Sequence, residues 1–390
     1  MSLPVFPDRR ISFSGIESLK RCPKQYFLSG PGAWNGWYDD ATEQVKTLYI
    51  WKQIDGVFSW VGKLFHEWTT QVDFNEVDKD QPLLTKVIPL SDEELRERFW
   101  IRFDAQWQES ESMSLEEWFN ISREERKNRT FLLQHALKLG PAEAPSKTKI
   151  RNWIKPSIDN YMTYRSEFLG GASYSDWLVI EGRKITNGII ITDDKKRSQF
   201  SLRNERVHPV HELQIAGETW KFGYDMDRVV RFRENGEESI IILDLKTGKK
   251  KESHFKQIFL YAALASIDLP ELKSFPLYGQ LSYTNYNPQE GVVRFKLGPR
   301  ELEEGYQFAV DAITHLRRHL KQVKDLETKA LMAILPKQLY HLASWEETDY
   351  VFLSENFPAD SARRLDLMNC RLCDKLKLCP EGMELVSVSF

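Results

Sequence analysis

The sequence predicts an α/β fold in which a mixed β-sheet is flanked by helices. Two observations lead to this fold class. Short runs of β-branched residues, separated by Gly, Asn and charged turns, begin at about residue 176. Segments with apolar residues at helical spacing precede and follow these runs. A chain of 390 residues with 41% hydrophobic content is long enough to bury one large core or two modest ones.

The first predicted helices lie in the N-terminal part of the chain. Ser14 is a candidate N-cap for a short helix that leads to Cys22. A second helix is predicted in WVGKLFHEWTTQV, where apolar residues recur every four positions from Trp60 to Val72. From about residue 91 to 170 the pattern is helical and rich in Trp, Glu and Arg, and we interpret this part as a helical insertion.

The predicted strands follow the insertion. In order they are WLVIEGRKI, GIIIT, HELQIAG, TWKFGYDMDRVVRF, ESIIILDLKTG, YGQLSYTNY and GVVRFKL. Helical spacing predicts a helix in KQIFLYAALASI and a long amphipathic helix in RELEEGYQFAVDAITHLRRHLKQV. We therefore divide the chain into an N-terminal segment (1–69), a helical insertion (70–175), an α/β core (176–325) and a C-terminal segment (326–390).

Composition and charge limit the classes of function. The N-terminus, MSLPVFPDRR, lacks the apolar run of a signal peptide, and no stretch approaches the roughly 18 uncharged apolar residues that span a bilayer. We therefore expect a cytoplasmic protein without membrane contact. The net charge of -3 gives no global signature of nucleic-acid binding, so any contact with DNA must come from local patches.

Four cysteines form an uneven pattern. Three of them, Cys370, Cys373 and Cys379, lie together near the C-terminus, whereas Cys22 is near the N-terminus. Paired structural disulfides are rare in a reducing compartment, so clustered cysteines are better interpreted as metal ligands.

The strongest chemical signal is IIILDLKTGKK, an apolar strand that ends in Asp-x-Lys. Because side chains alternate along a strand, Asp244 and Lys246 share one face. By the same rule Asp225 and Asp227 share a face of the preceding strand, and a hairpin would bring a carboxylate from each strand together. Such carboxylates suit Mg²⁺ or Mn²⁺, and a lysine beside them could stabilise attack on phosphorus. The alternative is that Asp244 and Lys246 form a solvated surface pair.

Three further polar residues are candidates for the same site. Gln257 and Tyr261 are four positions apart, on one face of the helix after the Asp-x-Lys strand. The alternative for Tyr261 is a core aromatic residue, with Gln257 incidental. His66 lies on the upstream GKLFHEW helix, where a lone histidine is more often a surface or capping residue than a ligand.

Taken in order, the motifs SLKRCPKQYF, GKLFHEW, DMDRVV, LDLKTGK, QIFLY and CRLCDKLKLCP resemble a known family. They are similar to iron–sulfur nucleases of the PD-(D/E)XK superfamily, of the RecB and AddB type that includes the CRISPR-associated adaptation exonucleases. The resemblance covers both ends of the chain and the stretch from about 210 to 265. It implies a PD-(D/E)XK, restriction-endonuclease-like core with a helical insertion and a terminal iron–sulfur region.

The resemblance also implies a role for each candidate residue. His66 would be a metal ligand or a neighbour of the metal site, Asp227 and Asp244 the main metal carboxylates, and Lys246 the catalytic lysine. Gln257 and Tyr261 would support the site and the DNA. A four-iron, four-sulfur cluster would be held by the four cysteines, Cys22, Cys370, Cys373 and Cys379.

The sequence departs from the family pattern at two positions, and zinc is an alternative to the iron–sulfur cluster. Tyr224 stands where the family commonly has Gly before its Asp-Arg motif, which leaves Asp225 as an alternative to Asp227. Asp244 stands where many relatives have Glu, although RecB-type members also carry Asp there. Four thiolates could also bind zinc, but one Cys plus C-x-x-C-x(5)-C is an unusual zinc pattern.

The predicted function is that of an Mg²⁺- or Mn²⁺-dependent deoxyribonuclease. The family favours an exonuclease that prefers single strands or duplex ends, in DNA repair, phage defence or CRISPR adaptation. Because the sequence contains no ATPase motor, a helicase or integrase partner is expected. The alternatives are a non-catalytic nucleic-acid-binding or assembly subunit with the same fold, and a zinc-stabilised binding module.

Overall fold

The computed structural model describes most of the chain. The described residues are 10–34, 36–39, 41–80, 90–140, 142–170, 179–180, 183–186, 189–191, 210–215, 217–223, 226–234, 237–268, 270–322 and 350–352.

A short strand and four helices begin the described chain. They are β1 (Arg10–Ser12), α1 (Phe13–Arg21), α2 (Pro23–Ser29), α3 (Glu43–Trp51) and α4 (Val57–Asp80). The prediction of Ser14 as N-cap was wrong: Ser12 is extended and its side chain accepts the Gly15 N–H at 3.3 Å. The helix therefore begins directly where β1 ends, and Ser14 lies inside its first turn.

Five helices make up the region predicted as a helical insertion, together with the end of α4. They are α5 (Asp92–Ser112), α6 (Leu115–Asn120), α7 (Arg123–Asn128), α8 (Leu133–Ala136) and α9 (Lys147–Phe168). Ser91 begins α5 with a capping box, because its side chain accepts the Glu94 N–H and the Glu94 carboxylate accepts the Ser91 N–H. The boundary placed between residues 69 and 70 falls inside α4.

Strands dominate the rest of the described chain, with three helices between and after them. The strands are β2 (Val179–Ile180), β3 (Arg183–Thr186), β4 (Ile189–Ile191), β5 (Val210–Ile215), β6 (Glu218–Gly223), β7 (Arg228–Glu234), β8 (Glu237–Lys246), β9 (Leu277–Tyr283), β10 (Val292–Lys296), β11 (Leu320–Gln322) and β12 (Tyr350–Phe352). The helices are α10 (Glu252–Asp268), α11 (Pro288–Gly291) and α12 (Pro299–Arg317). The last predicted helix was too long at its C-terminus, since residues 320–322 pair as β11 with β12.

The central sheet is mixed and has the order β10-β9-β8-β7. The pairing of β8 with β9 is parallel, whereas β7 with β8 and β9 with β10 are antiparallel pairs. A second sheet has the order β1-β6-β5, in which β1 and β6 are parallel. The prediction of one strand through TWKFGYDMDRVVRF was wrong, because β6 and β7 belong to different sheets and Asp227 lies in the connection between them.

Strand β8 is buried on both faces, which explains its continuous apolar run. Ile240 and Ile242 contribute to a core that also contains residues of α1, α10, α12 and the second sheet. Ile241, Leu243 and Leu245 face a second core built from α4, α5 and α9. The predicted insertion therefore covers one face of the central sheet. Asp244 and Lys246 continue the alternation of Ile240 and Ile242, toward the side on which α10 packs.

Helices α10 and α12 approach each other closely at Gly305. A Cβ atom at this position would lie 2.1 Å from the Phe259 carbonyl oxygen and 2.7 Å from the Leu260 nitrogen. The α12 backbone therefore rests directly on the α10 backbone, between the positions of Gln257 and Tyr261. None of the described helices combines the length and apolar composition needed to cross a bilayer.

Candidate active site

The predicted Asp-x-Lys pair lies at the C-terminal end of β8. The Lys246 ammonium nitrogen is 2.5 Å from Asp244 Oδ2, and the Asp244 residue is 3% exposed. The Lys246 ammonium is therefore the charge partner of the buried Asp244 carboxylate. The solvated surface pair considered as an alternative is thus wrong for Asp244, because its carboxylate is inside the protein.

A series of hydrogen bonds connects Lys246 to two side chains of helix α10. Lys246 Nζ donates to Gln257 Oε1 at 3.0 Å, and Gln257 Nε2 donates to the Tyr261 hydroxyl at 3.0 Å. The spacing of four residues places Gln257 and Tyr261 one turn apart on the same face of α10. Tyr261 is buried, as its alternative role as a core aromatic residue requires, but its hydroxyl contacts this polar chain.

Asp227 and His66 lie together beside β8. Beyond the last pair of β7 with β8, which joins Arg228 and Leu243, the Asp227 Oδ2 atom accepts the Leu245 N–H at 2.7 Å. The other oxygen, Oδ1, is 3.4 Å from His66 Nδ1, which α4 contributes. The structure therefore brings His66 to the carboxylate of Asp227, although 160 residues separate them in the sequence.

The charges of this cluster shift the pKa values of its members in opposite directions. Burial raises the pKa of Asp244 to about 6, and the nearby Asp227 charge adds to this increase while Lys246 opposes it. Burial would also raise the pKa of Asp227, but contacts with His66, Lys246 and the Leu245 N–H outweigh it and lower that pKa. The two carboxylates raise the pKa of Lys246 although burial opposes this.

The donors fit a hard divalent cation in their chemistry. Within the described residues, no three or more His, Cys, Asp or Glu side chains are arranged as a metal-binding group. His66 instead contacts Asp227, and Asp244 contacts Lys246. The buried Asp244 Oδ2 has the Lys246 ammonium as its cationic partner, at 2.5 Å. The two carboxylates are oxygen ligands of the kind that suits Mg²⁺ or Mn²⁺.

Of the four cysteines and Asp225, the structure describes Cys22. Cys22 ends α1 and caps α2, where its partly exposed Sγ accepts the Gln25 N–H at 3.4 Å. This position agrees with the prediction that Cys22 lies at a helix end. Cys370, Cys373, Cys379 and Asp225 lie outside the described residues, so the four-cysteine cluster and the choice between Asp225 and Asp227 stay predictions.

Sequence reasoning missed several residues around this site. His254 Nδ1 is 3.0 Å from the Tyr283 hydroxyl, and Tyr283 ends β9 in register with Lys246. Arg228, directly after Asp227, is buried against Asp73. A signal existed for Asp73, which follows His66 by seven positions and therefore lies two turns further along the same helix face.

The stability of the fold should depend on pH through His254. Burial, together with the charges of Lys246 and Lys251, lowers the pKa of His254 from 6.5 to about 4. The unfolded chain binds a proton below pH 6.5 that the folded chain does not, so this contribution is complete above pH 6.5 and is lost as the pH falls toward 4. Urea unfolding of wild type and His254→Gln should therefore show a stability difference that decreases over this interval. A difference independent of pH would contradict the prediction.

The comparison with known proteins agrees with this geometry. The chain matches the PD-(D/E)XK nuclease superfamily over residues 10–380. This range includes the central sheet, His66, both carboxylates and Lys246, together with all four cysteines. No curated protein matches the chain at a significant level. Because the match extends over nearly the whole sequence, the chain belongs to the PD-(D/E)XK nuclease superfamily.

Proposed function

We propose that this protein is an Mg²⁺- or Mn²⁺-dependent deoxyribonuclease that hydrolyses phosphodiester bonds. The observation that carries the proposal is the meeting of Asp227, Asp244 and Lys246 at the end of β8, with His66 in contact with Asp227. These groups come from separate parts of a chain that belongs to a nuclease superfamily. A protein that only bound DNA would have no physical need to gather two carboxylates and a lysine with one of the carboxylates, Asp244, buried.

The proposed roles follow from the contacts of each residue. His66, Asp227 and Asp244 would hold the metal ion, which when bound supplies a Lewis acid for the charge that develops on the phosphate. The Leu245 N–H orients the Asp227 carboxylate. Gln257 holds the Lys246 ammonium at 3.0 Å, and the Tyr261 hydroxyl accepts from Gln257 in turn. Lys246 is thus fixed as a positive charge that can stabilise the attacked phosphate.

A local basic segment supports a nucleic-acid substrate. Lys249, Lys250 and Lys251 begin three positions after Lys246 and are exposed, while the net charge of the whole chain is only -3. The Lys250 ammonium donates to the Glu290 carbonyl at 2.5 Å. Exposed lysines next to a catalytic strand would contact phosphates and position the strand without reading its sequence. We propose single strands or duplex ends as substrate and an exonuclease mode, in DNA repair, phage defence or CRISPR adaptation, with a helicase or integrase partner.

The nuclease proposal can be tested through the lysine. We expect wild type to degrade labelled single-stranded DNA with Mg²⁺ or Mn²⁺, and Lys246→Met to reduce kcat by about 10²–10³-fold, because a fixed charge that stabilises the transition state is lost. Mn²⁺ affinity, measured by calorimetry, should not weaken. Lys155→Met, which removes an exposed lysine on α9 paired with Asp159, should retain full activity. Tight DNA binding by wild type without metal-dependent cleavage would instead support the non-catalytic subunit.

We also propose a four-iron, four-sulfur cluster held by Cys22, Cys370, Cys373 and Cys379. Support comes from Cys22, a partly exposed residue at the start of α2 whose Sγ accepts the Gln25 N–H at 3.4 Å. Iron and sulfide analysis of protein purified without oxygen should give four of each per chain, on the composition of such a cluster. A colourless protein with one bound zinc would contradict the cluster and leave the nuclease proposal untouched.

A further inference from the structure

A buried ion pair joins helix α4 to the start of strand β7. Arg228 donates to Asp73 Oδ2 from Nε at 2.9 Å and from Nη2 at 2.5 Å. Asp73 is 4% exposed and Arg228 is 3% exposed. The two residues are 155 positions apart in the sequence, so the pair fixes one distant part of the chain against another.

Tyr161 of α9 completes this interaction. Its hydroxyl donates to Asp73 Oδ1 at 2.8 Å, and the tyrosine is fully buried. Both oxygens of the Asp73 carboxylate therefore have hydrogen-bond donors. The Tyr161 ring packs against Phe65 and Trp68, which are neighbours of His66 on α4. The region predicted as an insertion thus supplies a polar group to the interior of the nuclease core.

The same network reaches two of the proposed metal ligands. Arg228 Nη1 donates to the carbonyl oxygen of Asp227 at 2.6 Å, so the guanidinium holds the main chain of the residue that precedes it. Asp73 lies two turns from His66 on one face of α4, so the ion pair also fixes the helix that carries His66. Asp227 and His66 are therefore placed relative to each other by contacts that do not themselves face the site.

We propose that Asp73, Tyr161 and Arg228 are positioning residues that hold Asp227 and His66 at the spacing the metal ion requires, an inference that rests on the proposed function. Stability alone explains this network poorly, since well-packed apolar residues commonly replace a buried ion pair without loss of stability. Hydrogen bonds have fixed directions, whereas apolar contacts do not. The hydrogen bond from Arg228 can therefore hold the main chain at Asp227 in one position. Partners that orient metal ligands in this way commonly control metal affinity.

The test uses two isosteric variants, Asp73→Asn and Tyr161→Phe. The first removes the charge opposite Arg228, and the second removes only the hydroxyl of Tyr161. The probe is the Leu245 amide in metal-free protein, because this N–H donates to the Asp227 carboxylate. We expect its hydrogen exchange, measured by NMR, to accelerate in both variants and about tenfold or more in Asp73→Asn, where a buried charge loses its partner. If Asp73→Asn does not fold, Tyr161→Phe decides the test.

Ser110→Ala is the matched control. Ser110 is fully buried on α5, and its Oγ accepts the Leu132 N–H at 2.7 Å, so the variant loses one buried hydroxyl away from the site. A general loss of stability would accelerate exchange at Leu245 in this variant as well. Exchange that is faster in Asp73→Asn and Tyr161→Phe than in Ser110→Ala supports the positioning role. Exchange equal to that of Ser110→Ala would overturn it.

Metal affinity separates this inference from the proposed function. In the two variants we expect Mn²⁺ affinity and kcat to fall by about 10–100-fold with an unchanged KM for DNA, because the ligands are present but misplaced. Unchanged Mn²⁺ affinity despite faster Leu245 exchange would overturn the link between the network and the metal. A wild type that binds no Mn²⁺ would contradict the proposed function, while the Leu245 comparison would still decide whether the network positions Asp227.

Discussion

Replacement of Asp244 by alanine is expected to abolish metal-dependent DNA cleavage while the fold persists. The carboxylate is buried at the end of β8, where its Oδ2 atom contacts the Lys246 ammonium at 2.5 Å. Loss of a ligand to a catalytic metal removes several kcal/mol of transition-state stabilisation, so we expect the cleavage rate to fall by about 10³-fold or more. The measurement is the rate of product formation from end-labelled single-stranded DNA with Mg²⁺ or Mn²⁺.

Loss of the Asp244 charge is not expected to lower the stability of the protein. Because burial raises the pKa of Asp244 to about 6, the ionised carboxylate opposes folding near neutral pH in metal-free protein. We therefore expect Asp244→Asn, which keeps the shape of the side chain, to be inactive without a lower melting temperature. Asp104→Asn is the control, since Asp104 also pairs with basic residues but lies on α5, away from the site. Equal cleavage by wild type and Asp244→Ala would contradict the assigned site.

Replacement of Gly305 by alanine is expected to destabilise the protein strongly. The added Cβ would lie 2.1 Å from the Phe259 carbonyl oxygen and 2.3 Å from its carbon, and backbone atoms cannot move aside as a flexible side chain can. Such overpacking costs about 3 kcal/mol of unfolding free energy. Helix α10 carries Gln257 and Tyr261 on either side of this contact, so we also expect cleavage to weaken. Urea unfolding and the cleavage assay measure the two effects.

Gly62→Ala is the matched control for this variant. Gly62 also lies within a helix, α4, but an added Cβ would be 3.8 Å from Thr247 Oγ1, an ordinary contact. Alanine is favoured over glycine in helix interiors by about 1 kcal/mol, so this variant should be as stable as wild type or more stable. Similar destabilisation of Gly62→Ala and Gly305→Ala would show that the close contact with Phe259 does not determine the effect.

Local regularities of the sequence predicted the centre of the site. The two-residue period of β8 places Asp244 and Lys246 on one side, and the helical period of α10 places Gln257 and Tyr261 on one face. These relations hold over at most four positions, where backbone geometry alone determines which side chains are neighbours. The buried apolar run of β8 was visible for the same reason.

Features that depend on tertiary packing could not be predicted from the sequence. The break between β6 and β7 occurs because the two strands join different sheets, and no turn signal stronger than Gly223 marks it. Ser12 was missed as the N-cap because pairing of β1 with β6 sets where the extended chain ends. The seven-residue spacing places Asp73 on the same face of α4 as His66, but its contact with Arg228 depends on tertiary packing.

The 155 positions between Asp73 and Arg228 have a consequence for how the enzyme is made. The N-terminal part of a protein leaves the ribosome first, so α4 emerges before Asp227 and before strand β8, which carries Asp244. We expect a partly translated chain to carry His66 and Asp73 on α4 before Asp227 and Arg228, the residues that they contact, have been made. The proposed metal site would therefore be completed only after most of the central sheet has been synthesised.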